Sequence, residues 1–84
     1  MTATEDDSTH ELFCRAGQAL YGPRFASDIG RALAMSDRNI RRYVAGDLQM
    51  SPSLRLEIAN LCMERAEYLA EVASELRTSA LADL

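Results

Sequence analysis

The chain has 84 residues, 48% of them hydrophobic, with two prolines, four glycines and a formal net charge of −4. That length admits one domain with a modest core. No apolar run approaches the roughly 20 residues of a membrane span, and two isolated cysteines with one histidine exclude a recognisable zinc site. Abundant Ala, Leu, Arg and Glu with few Val and Ile predict an all-α fold.

Residues 1–8 are polar and acidic and carry little to bury, so a disordered tail is expected there. They lack a signal-peptide pattern, and a soluble, cytoplasmic protein is expected. Ser8 and Glu11 then form a capping box. Leu12, Phe13, Ala16, Ala19 and Leu20 follow at helical spacing, and Gly22-Pro23 stops the helix, giving a first helix over about 9–21. Gly17 weakens it slightly. Cys14 and Cys62 are read as reduced core residues.

Ser27 is placed to cap a second helix, with Asp28 in its first turn and Ile29, Ala32 and Leu33 facing inward. That helix is expected to end near Ala34. Ser36 caps a third helix, Asp37 opens it, and Gly46 closes it. The loop 47–50 leads to Ser51-Pro52, an N-cap followed by proline at the first helical position. From there to Leu84 no Gly or Pro occurs. Apolar residues at three- and four-residue steps predict one long helix over about 52–78, roughly 40 Å at ~1.5 Å per residue.

The third helix carries the functional signal. On a wheel stepping ~100° per residue, Val44 and Tyr43 fall within ~60° of Ile40 and define a buried side. Arg38 and Arg42 fall within ~20° of the opposite pole, flanked by Asn39, Arg41 and Ala45. Arginine can bind guanine O6 and N7 bidentately, and asparagine can do the same for adenine. Gly30 is the small residue where helices two and three cross, and Ile40 anchors the second of the pair ten positions later. Together these features predict a helix-turn-helix whose second helix enters a groove of double-stranded DNA.

The charge distribution agrees. Residues 24–55 hold Arg24, Arg31, Arg38, Arg41, Arg42 and Arg55 against three aspartates, a net +3. The segments before and after carry −3 and −4. Phosphate binding follows the local field rather than the total. Arg24 and Arg31 are candidate phosphate contacts. Ser27 and Ser36 lie at helix starts, where hydroxyls and free N–H groups suit phosphates. Gln49 is a weaker candidate in the following loop.

Residues 12–63 resemble the lambda-repressor-like, Cro/C1-type helix-turn-helix regulators, especially small phage-borne ones. The resemblance rests on Asp28-Ile29-Gly30-Arg31-Ala32-Leu33-Ala34-Met35-Ser36, on Ile40-Arg41-Arg42-Tyr43-Val44-Ala45-Gly46-Asp47, and on Ser51-Pro52. It implies a phosphate contact for Ser36 and base-edge positions for Asp37, Arg38 and Arg42. Two departures stand out. Ala34 occupies the turn position where glycine is usual, and the loop Asp47-Leu48-Gln49-Met50 lacks the basic residues often found there.

The spacing 58, 62, 65, 69, 72, 76 approximates a coiled-coil seam. Cys62, Arg65, Leu69, Val72 and Leu76 are its candidate dimerisation residues. The expected organisation is a tail over 1–8, a helix-turn-helix domain of three short helices over 9–63, and a dimerising segment over 64–84. A homodimer suits a palindromic operator. The expected function is sequence-specific transcriptional regulation, chiefly repression; the resemblance to phage regulators implies autoregulation of a phage or mobile-element operon. No catalytic constellation is present, so no enzyme, cofactor or metal is expected. The competing class is a protein-interaction module, such as an antitoxin or phage adaptor, using the acidic last helix.

Overall fold

The computed structural model describes the backbone of residues 2–84 and the side chains of residues 9–84. The chain is all-helical, with α1 at Thr2–Tyr21, α2 at Ala26–Leu33, α3 at Asp37–Ala45 and α4 at Pro52–Ala82. α1 to α3 and the start of α4 enclose one core. It is built from Phe13, Phe25, Ile29, Leu33, Ile40, Met50, Leu54 and Ile58. Phe13 lies at its centre. It meets Phe25 edge-on with ring centroids 6.3 Å apart and stacks on Tyr43 at 5.2 Å.

Several expected boundaries need correction. The capping box at Ser8 does not start α1, which runs back to Thr2. No glycine or proline separates Thr2 from Glu11, so nothing in the sequence breaks a helix there. Helix therefore replaces the expected tail from Thr2 onward, and α1 at 20 residues is not short; Met1 and the side chains of residues 2–8 lie outside the described residues. Ser27 does not cap α2. The cap residue is Phe25, which makes no side-chain cap bond, and Ser27 is the second helical residue. Burial of the Phe25 ring fixes that helix start instead. Leu12, Ala19 and Ala32, expected inward, are exposed. The buried line of α1 runs along Phe13, Gly17 and Leu20, and it leaves Leu12 and Ala19 on its flanks.

Other signals hold. Ser36 and Ser51 cap α3 and α4: their Oγ atoms accept from the backbone N–H of Asn39 and Leu54 at 3.2 and 3.1 Å. Gly22 and Gly46 adopt left-handed conformations at the ends of α1 and α3. Met50, assigned to a loop by its neighbours, is drawn into the core.

The end of α2 carries the one positive-φ residue other than glycine among the described residues. Ala34 has φ 56°. Its N–H donates to Arg31 O, and the N–H of Met35 reaches Gly30 O at 2.8 Å, the paired bonds of a Schellman turn. The turn at Gly46 makes the same two bonds, Gly46 to Tyr43 and Asp47 to Arg42. A Cβ in the left-handed region costs ~1–2 kcal/mol, partly offset by the entropy a glycine would lose. Ala34→Gly is therefore expected to raise the unfolding free energy by about 0.5–1 kcal/mol in a urea titration.

α4 is ~46 Å long at ~1.5 Å per residue, against principal extents of 54 × 30 × 21 Å for the molecule. Leu54 and Ile58 are buried, and Leu61 and Cys62 are half-buried. Beyond Arg65 every residue is exposed except the half-buried Val72. No helix among the described residues is long and apolar enough to cross a membrane.

Candidate nucleic-acid interface

α2 and α3 are held against one another by Gly30 and Ile40. Ile40 is 1% exposed. A Cβ added at Gly30 would meet Ile40 Cγ1 at 3.2 Å and the carbonyl oxygen of Met35 at 3.3 Å. The crossing is thus as close as the sequence pattern required, and the small residue is there because the partner helix occupies its side-chain space.

With Ile40 turned inward, the opposite side of α3 faces solvent. Arg38, Asn39, Arg41, Arg42 and Ala45 are all exposed, while Tyr43 and Val44 are half-buried against the core. Among the described residues, none of the three guanidiniums makes an ion pair. Asp37 and Asp47 flank this face at its two ends and are also exposed. All nine cationic side chains of the protein are arginines. The guanidinium offers a planar fork of donors that matches the two acceptors of guanine or of a phosphate.

The remaining candidates divide. Arg31 lies 3.5 Å from Asp28 across one turn of α2, with both side chains substantially exposed. Such a pair contributes little to stability and yields readily to a better partner. Arg24 and Ser27 are exposed just before and just inside α2. Ser36 Oγ is taken up as an acceptor by Asn39 N–H, which leaves its hydroxyl proton free to donate. Gln49 is exposed beside the buried Met50.

One residue that positions this face escapes a sequence reading. His10 Nε2 lies 2.7 Å from the carbonyl oxygen of Val44 and donates to it. Cys14 Sγ approaches the same oxygen at 4.0 Å. Val44 O is one of the last four carbonyls of α3, which have no partner within the helix. The His10 ring also packs over Gly46, where an added Cβ would stand 3.5 Å from it. His10 thereby ties α1 to the C-terminal end of α3. Contact across 34 residues leaves no periodic trace. Desolvation by burial pushes the pKa of the Cys14 thiol above its ordinary range.

The expected dimer seam also divides. Arg65 donates from Nη1 to Leu20 O at 3.2 Å and lays its guanidinium over the Tyr21 ring, 5.6 Å from the centroid. It thus reaches back to the end of α1 within its own chain. Cys62 packs at the edge of the chain's own core. Leu69 and Leu76 are 57% and 66% exposed, so the chain itself leaves them uncovered. No group of three or more His, Cys, Asp or Glu suited to a metal ion occurs among the described residues.

No family model matches this chain, and no curated protein or solved structure matches it either.

Proposed function

We propose that this protein is a sequence-specific, double-stranded-DNA-binding transcription regulator that acts as a homodimer, most simply as a repressor. The observation that carries the reading is the exposed face of α3. Arg38 and Arg42 stand opposite a buried Ile40, flanked by Asn39 and Arg41, on a helix packed tightly across α2, and none of the three arginines makes an ion pair among the described residues. In this reading Arg38, Asn39 and Arg42 read base edges in the major groove, with Asp37 beside them at the N-terminal end of α3. Arg24, Ser27, Arg31, Ser36 and Arg41 hold the backbone phosphates. Occluding a promoter requires no chemistry from the protein. Regulation of its own phage or mobile-element operon, in the cytoplasm, belongs to the same proposal.

The test is binding of the purified protein to the DNA upstream of its own gene, followed by fluorescence anisotropy over a salt series. Affinity should fall steeply and linearly on a log–log plot, because neutralised phosphates release counterions. A flat salt response, or equal affinity for unrelated duplexes, overturns the reading. A stable complex with another protein in its place would favour an interaction module built on the acidic α4.

A further inference from the structure

We infer that two copies of this chain pair through α4 in an antiparallel arrangement, the outer end of each helix lying in a groove on its partner's domain. The inference deepens the dimeric part of the proposal above by giving the mode of association, and it rests on that part alone.

The groove runs between α1 and α4. Leu12, Ala16, Met50, Ala59 and Cys62 line it, Arg55 stands at its end, and it encloses about 160 Å³. Leu12 is a large apolar side chain left 46% exposed on its wall. The α4 side of the groove does not stop at the domain boundary. Arg55, Cys62, Leu69, Leu76 and Asp83 follow at intervals of seven, and Ala59, Ala66, Ala73 and Ala80 form a second row beside them at the same interval. Rows seven apart drift only ~20° per repeat on a straight helix, so both form one strip from the groove to the tip. Between Arg55 and Asp83 neither row holds a charge. The alanine row lets a second helix approach closely, and the leucines supply apolar area that the chain itself does not cover.

The charge order selects the occupant and its direction. The first row is basic at one end, apolar in the middle and acidic at the other. A second copy running antiparallel, with its two-fold axis at Leu69, sets Arg55 beside the partner's Asp83 and Cys62 beside the partner's Leu76. The same row paired in parallel would set Arg55 against Arg55 and Asp83 against Asp83. A basic partner would instead seek Glu57, Glu64 and Glu71, which lie about 160° around the helix from this row. Arg65, about 60° from the first row, is engaged with Tyr21 and Leu20 of its own chain.

Disulfide trapping tests this directly, because a bridge forms only where Cα atoms come within ~7 Å. In a Cys14→Ala background, Leu76→Cys places a thiol on an exposed position of the full-length chain. Mild oxidation should give a covalent dimer on a non-reducing gel. The Cys14→Ala protein alone should give none, and adding Cys62→Ala to the Leu76→Cys protein should abolish the crosslink. A dimer in Cys14→Ala alone, or one that survives loss of Cys62, indicates parallel pairing and overturns the proposal. So does the absence of any crosslink with a one-chain sedimentation mass at tens of micromolar. A second readout is charge reversal: Asp83→Arg should weaken the dimer at least several-fold, and Arg55→Asp in the same chain should restore it. None of these substitutions touches α3, so failure of operator binding leaves the outcome readable on its own.

Discussion

Alanine at Arg38 or Arg42 is expected to weaken operator binding by about 1–3 kcal/mol each and to relax sequence preference at the bases each arginine reads. The magnitude follows from losing one bidentate hydrogen-bonded pair to a base edge. Neither side chain holds the fold together: both are exposed and unpaired, so folding stability should change by no more than about 0.5 kcal/mol. Arg24→Ala and Arg31→Ala should behave differently. Each should lower affinity for all duplexes alike and reduce the salt slope by about 1, as expected for lost phosphate contacts. Arg77→Ala, far along α4, is the control that should leave binding unchanged. The measurement is anisotropy with the specific site and a scrambled duplex. If both α3 variants bind like the wild type, that face is not the reader.

Gly17→Ala is expected to lower stability by about 1–3 kcal/mol, the range for forcing a group into a filled core. Helix propensity alone gives the opposite sign, since alanine in a helix interior is favoured over glycine by roughly 0.5–1 kcal/mol. The packing decides. Gly17 is buried on α1, and a Cβ there would fall on the Phe25 ring, 2.6 Å from Cγ. Phe25 cannot swing aside, because its ring is also held edge-on to Phe13 and its burial sets the start of α2. Thermal unfolding measures the effect: a chain of this size loses about 4–8 °C in Tm per kcal/mol. Shrinking the ring with Phe25→Leu should recover part of the loss in the double variant. An unchanged or raised Tm in Gly17→Ala would show that the ring relocates at no cost.

Most of the candidate interface was legible along the chain because it is local. The wheel around Ile40 separates Arg38, Asn39, Arg41 and Arg42 from Tyr43 and Val44, and the structure exposes the first four and half-buries the last two. Ser36, Gly46 and Ser51-Pro52 marked helix ends by bonds that span three to five residues, and those ends stand where expected. The failures have a common physical origin. Ser27 looks like a cap, but Phe25 sets the helix start by burying its ring in a core that no nearby residue predicts. Arg65 fits the seven-residue rhythm of a seam, and nothing in that rhythm foretells its contacts with the carbonyl of Leu20 and the ring of Tyr21, some 45 residues back.

By itself the sequence determined the all-helical class, the α2–turn–α3 unit, the inward Ile40 and the arginine face opposite it. Each of these depends on interactions within a turn or two of helix, and such interactions repeat with the helical period. Tertiary structure alone decided that Gly17 is a slot for Phe25, that His10 closes the C-terminal end of α3, and that Arg65 reaches the carbonyl of Leu20 and the ring of Tyr21. It also showed that the outer half of α4 leaves the core with its leucines uncovered. Those outcomes join residues tens of positions apart, and they depend on where a packed core leaves space, which no period along the chain encodes.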